Sequence, residues 1–209
     1  MKRGRKPGDH DSKKAEIAEA AYKTLLRVGI GNASLADIAR EMGYTTGVLR
    51  HYFKDKEELL LFAKNMLFDR ANARAREAAA GTEGLERLRI MVTDSLSLDP
   101  DTIDRWRLLT MFSGKAIGDA RLMALQQKRN ERFWQLLEEE LIQLQEAGHL
   151  SSQMDAALEA RGIVAFGDGL ADQIIMKPKA WTQAQLQTLV ASYLEGFLSR
   201  CARREPRKR

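Results

Sequence analysis

Cysteine is nearly absent. Cys201 is the one thiol in 209 residues, so no disulfide can staple the fold. Histidine is almost as scarce: His10, His51 and His149 stand far apart, with no two of them three or four residues from each other. That spacing offers no His/Cys pattern for a metal, and neither a metal nor a cofactor is expected. No apolar run approaches the roughly 18 residues that span a bilayer. The charged start, with no hydrophobic stretch behind it, is not expected to be a signal peptide. The expectation is a cytoplasmic chain with no membrane partner. A Gly-x-Ser-x-Gly elbow, a phosphate-binding glycine loop and a motif-placed Ser/His/Asp set are also missing, so the chain is not expected to be an enzyme.

What is present is charge, unevenly spread. Residues 1–56 hold 12 Lys/Arg against 7 Asp/Glu, residues 57–199 hold 16 against 21, and residues 200–209 hold 6 against 1. The net +5 therefore resolves into +5, −5 and +5. A basic start on an acidic body suggests a module for a polyanion joined to a module for something else.

Proline occurs only four times, and the apolar residues recur at three and four throughout, which predicts an all-α chain of about nine helices. The first is predicted over about residues 12–27, with Ile17, Ala18, Ala21, Tyr22 and Leu25 on one face and Gly29 and Gly31 behind it. Ser34 reads as the N-cap of a short helix that Gly43 stops. A second short helix follows from Thr45 or Thr46 to about Phe53, and Asp55 with Glu58 caps a longer one toward Ala80. Five more are predicted over about 83–97, 101–116, 119–147, 155–177 and 182–200, with Asp99-Pro100 and Thr182/Gln185 as start signals.

Two short helices around a tight turn, behind a longer support helix, have the dimensions of a helix-turn-helix. The second carries Thr45, Thr46, Gly47, Arg50, His51 and Tyr52, while Val48, Leu49 and Phe53 are left to hold it onto the domain. A helix entering the major groove needs that division between short or polar groups for DNA and apolar groups for anchorage.

The stretch from Ala39 to Leu59, AREMGYTTGVLRHYFKDKEEL, resembles the signature of TetR-type repressors, with Gly43, Thr45, Gly47, Leu49, Tyr52, Phe53, Lys56 and Leu59 at its key positions. The resemblance implies that Ser34, Thr45, Thr46, Gly47, Arg50, His51, Tyr52 and Lys56 face double-stranded DNA, with Lys56 and the amides behind it as a phosphate clamp. Arg50 and Thr46 depart from the aromatic residue and the lysine that many relatives carry. Arg50 either reads a guanine or grips a phosphate, and Tyr52 either touches DNA or packs the domain. Ahead of this unit, Lys2, Arg3, Arg5 and Lys6 form an arm too polar to fold alone. Its Arg-Gly-Arg resembles an AT-hook minor-groove reader, and a nonspecific electrostatic arm is the plainer reading.

The expected organisation is a disordered basic arm (1–10), a helix-turn-helix domain (11–56) with a connecting fourth helix (56–80), a ligand-binding and dimerisation domain (81–200) and a basic tail (201–209). The last two helices are rich in apolar residues, and Ile163, Gly167, Leu170, Ile174, Leu186, Val190, Tyr193 and Phe197 are expected in a homodimer interface, the alternative being that they fill only the chain's own core. Trp106, Met111, Phe112 and Phe133, with Arg129 and Asp168 as polar interruptions of apolar stripes, are candidates for an effector pocket; the plainer reading of Arg129 and Asp168 is a solvated or structurally paired side chain. Phe166-Gly167-Asp168-Gly169-Leu170-Ala171 and the Trp106 region resemble the BetI-like branch, whose best-known member responds to choline, though fold alone does not carry a ligand across. The function implied is a ligand-responsive homodimeric repressor on a palindromic operator. The alternative is a DNA-bound structural or partner-recruiting protein with no small-molecule effector.

Overall fold

The computed structural model describes residues 7–29 and 33–201, apart from the side chains of residues 7–9, 129, 132 and 133. Every regular element among the described residues is helical. The sequence-predicted contacts Lys2, Arg3, Arg5 and Lys6, the tail from residue 202, and the side chains of Arg129 and Phe133 lie outside them.

Helix α1 (Pro7–Val28) begins earlier than its apolar pattern, so residues 7–10, expected in the arm, form its first turn. Proline suits a first helical position because its missing N–H would go unsatisfied there anyway. Helix α2 (Leu35–Glu41) starts at a full capping box: the Ser34 hydroxyl accepts the Asp37 N–H at 3.1 Å, and the Asp37 carboxylate accepts the Ser34 N–H at 2.9 Å. It ends in a Schellman motif. The Tyr44 N–H donates to the Ala39 carbonyl at 2.8 Å and the Gly43 N–H to the Arg40 carbonyl at 3.1 Å, with Gly43 at φ +67°.

Helix α3 (Thr46–Tyr52) follows directly, and α4 (Lys56–Ala78) starts where the Asp55 carboxylate accepts the Glu58 N–H at 2.8 Å. Glu58 answers by accepting the Lys54 N–H, one residue earlier than an ideal capping box. The remaining helices are α5 (Gly84–Ser95), α6 (Pro100–Ile117), α7 (Ala120–Glu146), α8 (Ala156–Met176) and α9 (Gln183–Cys201), with a single 3₁₀ turn at Pro178–Ala180 before the last. Asp99, Asp119, Asp155 and Thr182 cap α6, α7, α8 and α9 through their side chains. No described helix is long and apolar enough to cross a membrane.

The chain divides into two compact units, residues 1–70 with 107–123, and residues 71–106 with 124–209. Residues 107–123, assigned by sequence to the body, therefore pack with the head. In the first unit, Ile17, Ile38, Leu49, Phe53 and Leu59 form one buried cluster, and Leu25, Leu60, Leu108, Phe112 and Leu122 form a second. Ion pairs from Lys115 to Glu57 (2.6 Å) and from Arg121 to Asp55 (3.2 Å) bind the end of α6 and the start of α7 to the head of α4.

In the second unit Trp106, Leu141, Ile163, Ile174, Leu186 and Phe197 share a core. Arg74 organises one side of it. Its guanidinium donates to the Asp94 carboxylate (3.0 Å), the Asp94 carbonyl (2.9 Å) and the Thr102 hydroxyl (3.1 Å), and lies 3.5 Å from Asp99.

Candidate nucleic-acid interface

The Schellman turn at Gly43 turns the chain from α2 into α3, and the composition of α3 then decides what it shows. Leu49 and the following Phe53 are buried in the head core, while Thr45, Gly47, Arg50 and His51 are exposed and Thr46 is half-buried. Thr45 caps α3 by backbone alone, with no hydrogen bond from its hydroxyl to the helix. An added Cβ at Gly47 would meet only Thr45 Oγ1, at 3.7 Å, so the backbone here lies close to the surface. Together these residues form a low, polar platform that suits a DNA groove.

Three placements bear on the sequence expectations. Val48 is 36 % exposed and does not anchor the helix. Tyr52 is buried at 7 % exposure in the head core, which favours its packing role. The Ser34 hydroxyl is engaged by Asp37, at 2.6 Å from its carboxylate, and so serves the fold of α2.

Other residues enter the site from α1, where the sequence reading had no marker. Lys13 donates to Glu16 and to the Tyr44 hydroxyl, and that hydroxyl donates to Glu16 at 3.2 Å. The bond to Glu16 is the main cause that holds the Lys13 ammonium above the usual lysine value, and the reciprocal bond lowers Glu16. An open groove of about 580 Å³ runs between Lys13, Tyr44, Thr45, Gly47, Val48, His51 and Tyr52. His10 reaches the same face: its ring centroid lies 5.0 Å from Tyr52 and 6.2 Å from His51. Lys14 sits 5.1 Å from the centre of the Phe53 ring and 3.8 Å from the Glu58 carboxylate. The polar spacing of Lys13, Lys14 and Glu16 on one helix was the available signal. Lys56 opens α4 as expected, and its ammonium is lowered by burial first and by Lys115 second.

Matches to known families cover both ends of this architecture. Residues 17–62 match the model described as bacterial regulatory proteins of the tetR family. Residues 84–199, more than half the chain, match the C-terminal model of BetI-type transcriptional repressors. The chain belongs to the TetR family. Like its homologues, this TetR-family protein is a transcriptional regulator and not an enzyme. It is 25% identical over 190 residues to the HTH-type transcriptional regulator PksA of Bacillus subtilis, covering 90% of this chain and 91% of that one. It is 26% identical over 195 residues to the regulator BetI of Serratia proteamaculans, with 90% and 94% covered. A transcriptional regulator from Rhodococcus sp. Rha1 shares the fold at a TM-score of 0.78 and 22% identity, over 92% of this chain and 99% of that one.

In the TetR-family protein the predicted interface residues Ile163, Leu170, Ile174, Leu186, Val190 and Phe197 are buried in their own chain. Gly167 is half-buried against Leu96, and Tyr193 stacks on Phe166 at 3.9 Å between ring centres. Those six residues have little surface to offer a second copy, while Gly167 and Tyr193 keep part of theirs. The most apolar stripe of α8 and α9 fills the chain's own core because that is where it loses most contact with water. The face left open on α8 carries Leu158, Gly162, Ala165, Gly169 and Met176, and α9 leaves Leu189 open.

The candidate pocket residues are dispersed. Trp106 belongs to the core of the second unit and Phe112 to the core of the first, where the buried Lys64 ammonium lies 4.7 Å from its ring centre. Met111 packs beside Phe112 at the edge of the same cluster, and Asp168 is exposed. The guanidinium of Arg161 lies over Trp134 at 5.6 Å.

Proposed function

We propose that this protein is a homodimeric, effector-responsive repressor that places α3 in the major groove at each half of a palindromic operator. The observation that carries the reading is the division of α3, with Leu49 and Phe53 buried while Thr45, Gly47, Arg50 and His51 stand exposed on one surface. The open face of α8 and α9 supports a dimer, since its glycines and alanine permit close helix approach around a two-fold axis. Two copies then meet two half-sites about one helical turn apart. An effector in the body lowers operator affinity by favouring the conformation that binds DNA less well, to the extent of its differential affinity. The effector is a small molecule.

Footprinting on the DNA upstream of the protein's own coding region tests this. The expected result is two protected half-sites in a palindrome, and protection of random sequence to the same degree would overturn the operator reading. Arg50→Ala separates the two roles of that residue. A base contact costs about 1–3 kcal/mol on operator relative to random DNA, whereas a phosphate contact weakens both equally.

A further inference from the structure

The chain has three histidines, and two of them, from segments far apart in sequence, meet on the exposed DNA-facing surface. His10 on α1 and His51 on α3 flank Tyr52, each with its ring centroid 5.0 Å from the tyrosine ring. His51 also lines the groove beside Thr45 and Gly47. His10 lies outside residues 17–62, which carry the family match.

We propose that His10 and His51 form a proton-linked contact to the DNA backbone, so that DNA binding takes up protons and strengthens as pH falls through the histidine range. This rests on the DNA-binding reading above. A phosphate beside an imidazole favours its charged form, and each imidazole that enters the interface neutral leaves it charged by taking a proton from solvent. The charged and titratable groups around the pair are Asp11, whose carboxylate lies 3.7 Å from His10 Nδ1, Lys13 and Tyr44, which line the groove with His51, and Glu16, which is bonded to both; Lys14 follows on α1 against Phe53 and Glu58, and Arg50 and Lys54 are near His51 in sequence. Side chains of these classes do not ordinarily titrate between about pH 6 and 8, which leaves the imidazoles to carry the change. Tyr52 holds the two rings together, so His10 acts on the recognition helix as well as on DNA.

The test is fluorescence anisotropy of the full chain with a fluorescein-labelled duplex of mixed sequence, across about pH 6 to 8 at fixed salt. Each proton taken up raises affinity by up to about tenfold per pH unit, so the wild type should tighten on the order of tenfold or more over the range. His10→Gln should roughly halve the slope of log affinity against pH, and the double variant with His51→Gln should bring it close to zero. His10→Phe keeps an aromatic ring against Tyr52 and should lose slope like His10→Gln while melting like the wild type, which a purely structural role does not predict. His149→Gln should retain the wild-type slope. At the acidic end, the dependence of log affinity on log salt should steepen by about one for each added phosphate contact. Binding whose pH slope survives in the double variant would overturn this inference and leave the DNA-binding reading standing. Failure of the wild type to bind the duplex at any pH would overturn both.

Discussion

Gly169→Gln separates the stability of the chain from the stability of its dimer. Gly169 lies on the exposed side of α8, and a Cβ built there meets no heavy atom within 4 Å. Within one chain the substitution is therefore sterically free, and replacing a helical glycine by a good helix former should stabilise it by about 0.5–1 kcal/mol. Across a close helix pair the same side chain overpacks the contact by about 1–3 kcal/mol. A two-fold interface contains the substitution twice, so the dimer loses about 2–6 kcal/mol. That corresponds to a dissociation constant raised roughly thirtyfold to twenty-thousandfold. Sedimentation velocity over a concentration series measures the shift, and a circular-dichroism melt of the dilute monomer checks that the fold has gained stability. Leu170→Ala, one position along but buried at 5 % exposure, provides the contrast: it should cost about 2–5 kcal/mol of folding stability. If Gly169→Gln dimerises with the wild-type constant, the open face of α8 is not the interface.

Gly43→Ala should cost about 1–2 kcal/mol because φ is +67° and no neighbour crowds the added methyl, and Gly43→Asn, which tolerates that region better, should recover part of the loss in a urea titration. Arg74→Lys should lower the melting temperature by several degrees, on the basis of about 1–2 kcal/mol for a partly exposed site. A single ammonium cannot reproduce the guanidinium's fork to Asp94, its carbonyl and Thr102. Lys115→Met should cost under about 1 kcal/mol at neutral pH, since both partners of its ion pair with Glu57 are about a third exposed and the change also relieves Lys56. The Lys115 hydrogen bond holds Glu57 below its ordinary value of 4.5, so the pair's contribution is complete above that value and vanishes as pH falls through the lowered one. Melting curves of wild type and variant should accordingly converge on acidification, and a difference that persists in acid would refute the assignment.

The elements legible in the sequence were those whose signals are local. Ser34, Gly43, Asp99 and Thr182 each act on backbone groups a few residues away, and the helices begin or end beside them. The start of α1 at Pro7 was hidden because its first turns carry no apolar face, and a periodicity that begins at Ile17 cannot reach back across polar residues. Pairing was less legible than periodicity. The stripe of α6 shows that a face is buried but not what it meets, and its second half packs in the head unit. On α8 and α9 the strongest stripe marks the chain's own core, while the open face is written in small residues that read as fillers. The same limit governs the DNA-facing surface. Whether Tyr52 faces DNA or packs was open within α3, because either orientation satisfies that short helix. His10 joins it from α1, and a rule that looks for histidine partners three or four residues away on one helix has no means of finding a contact made between two.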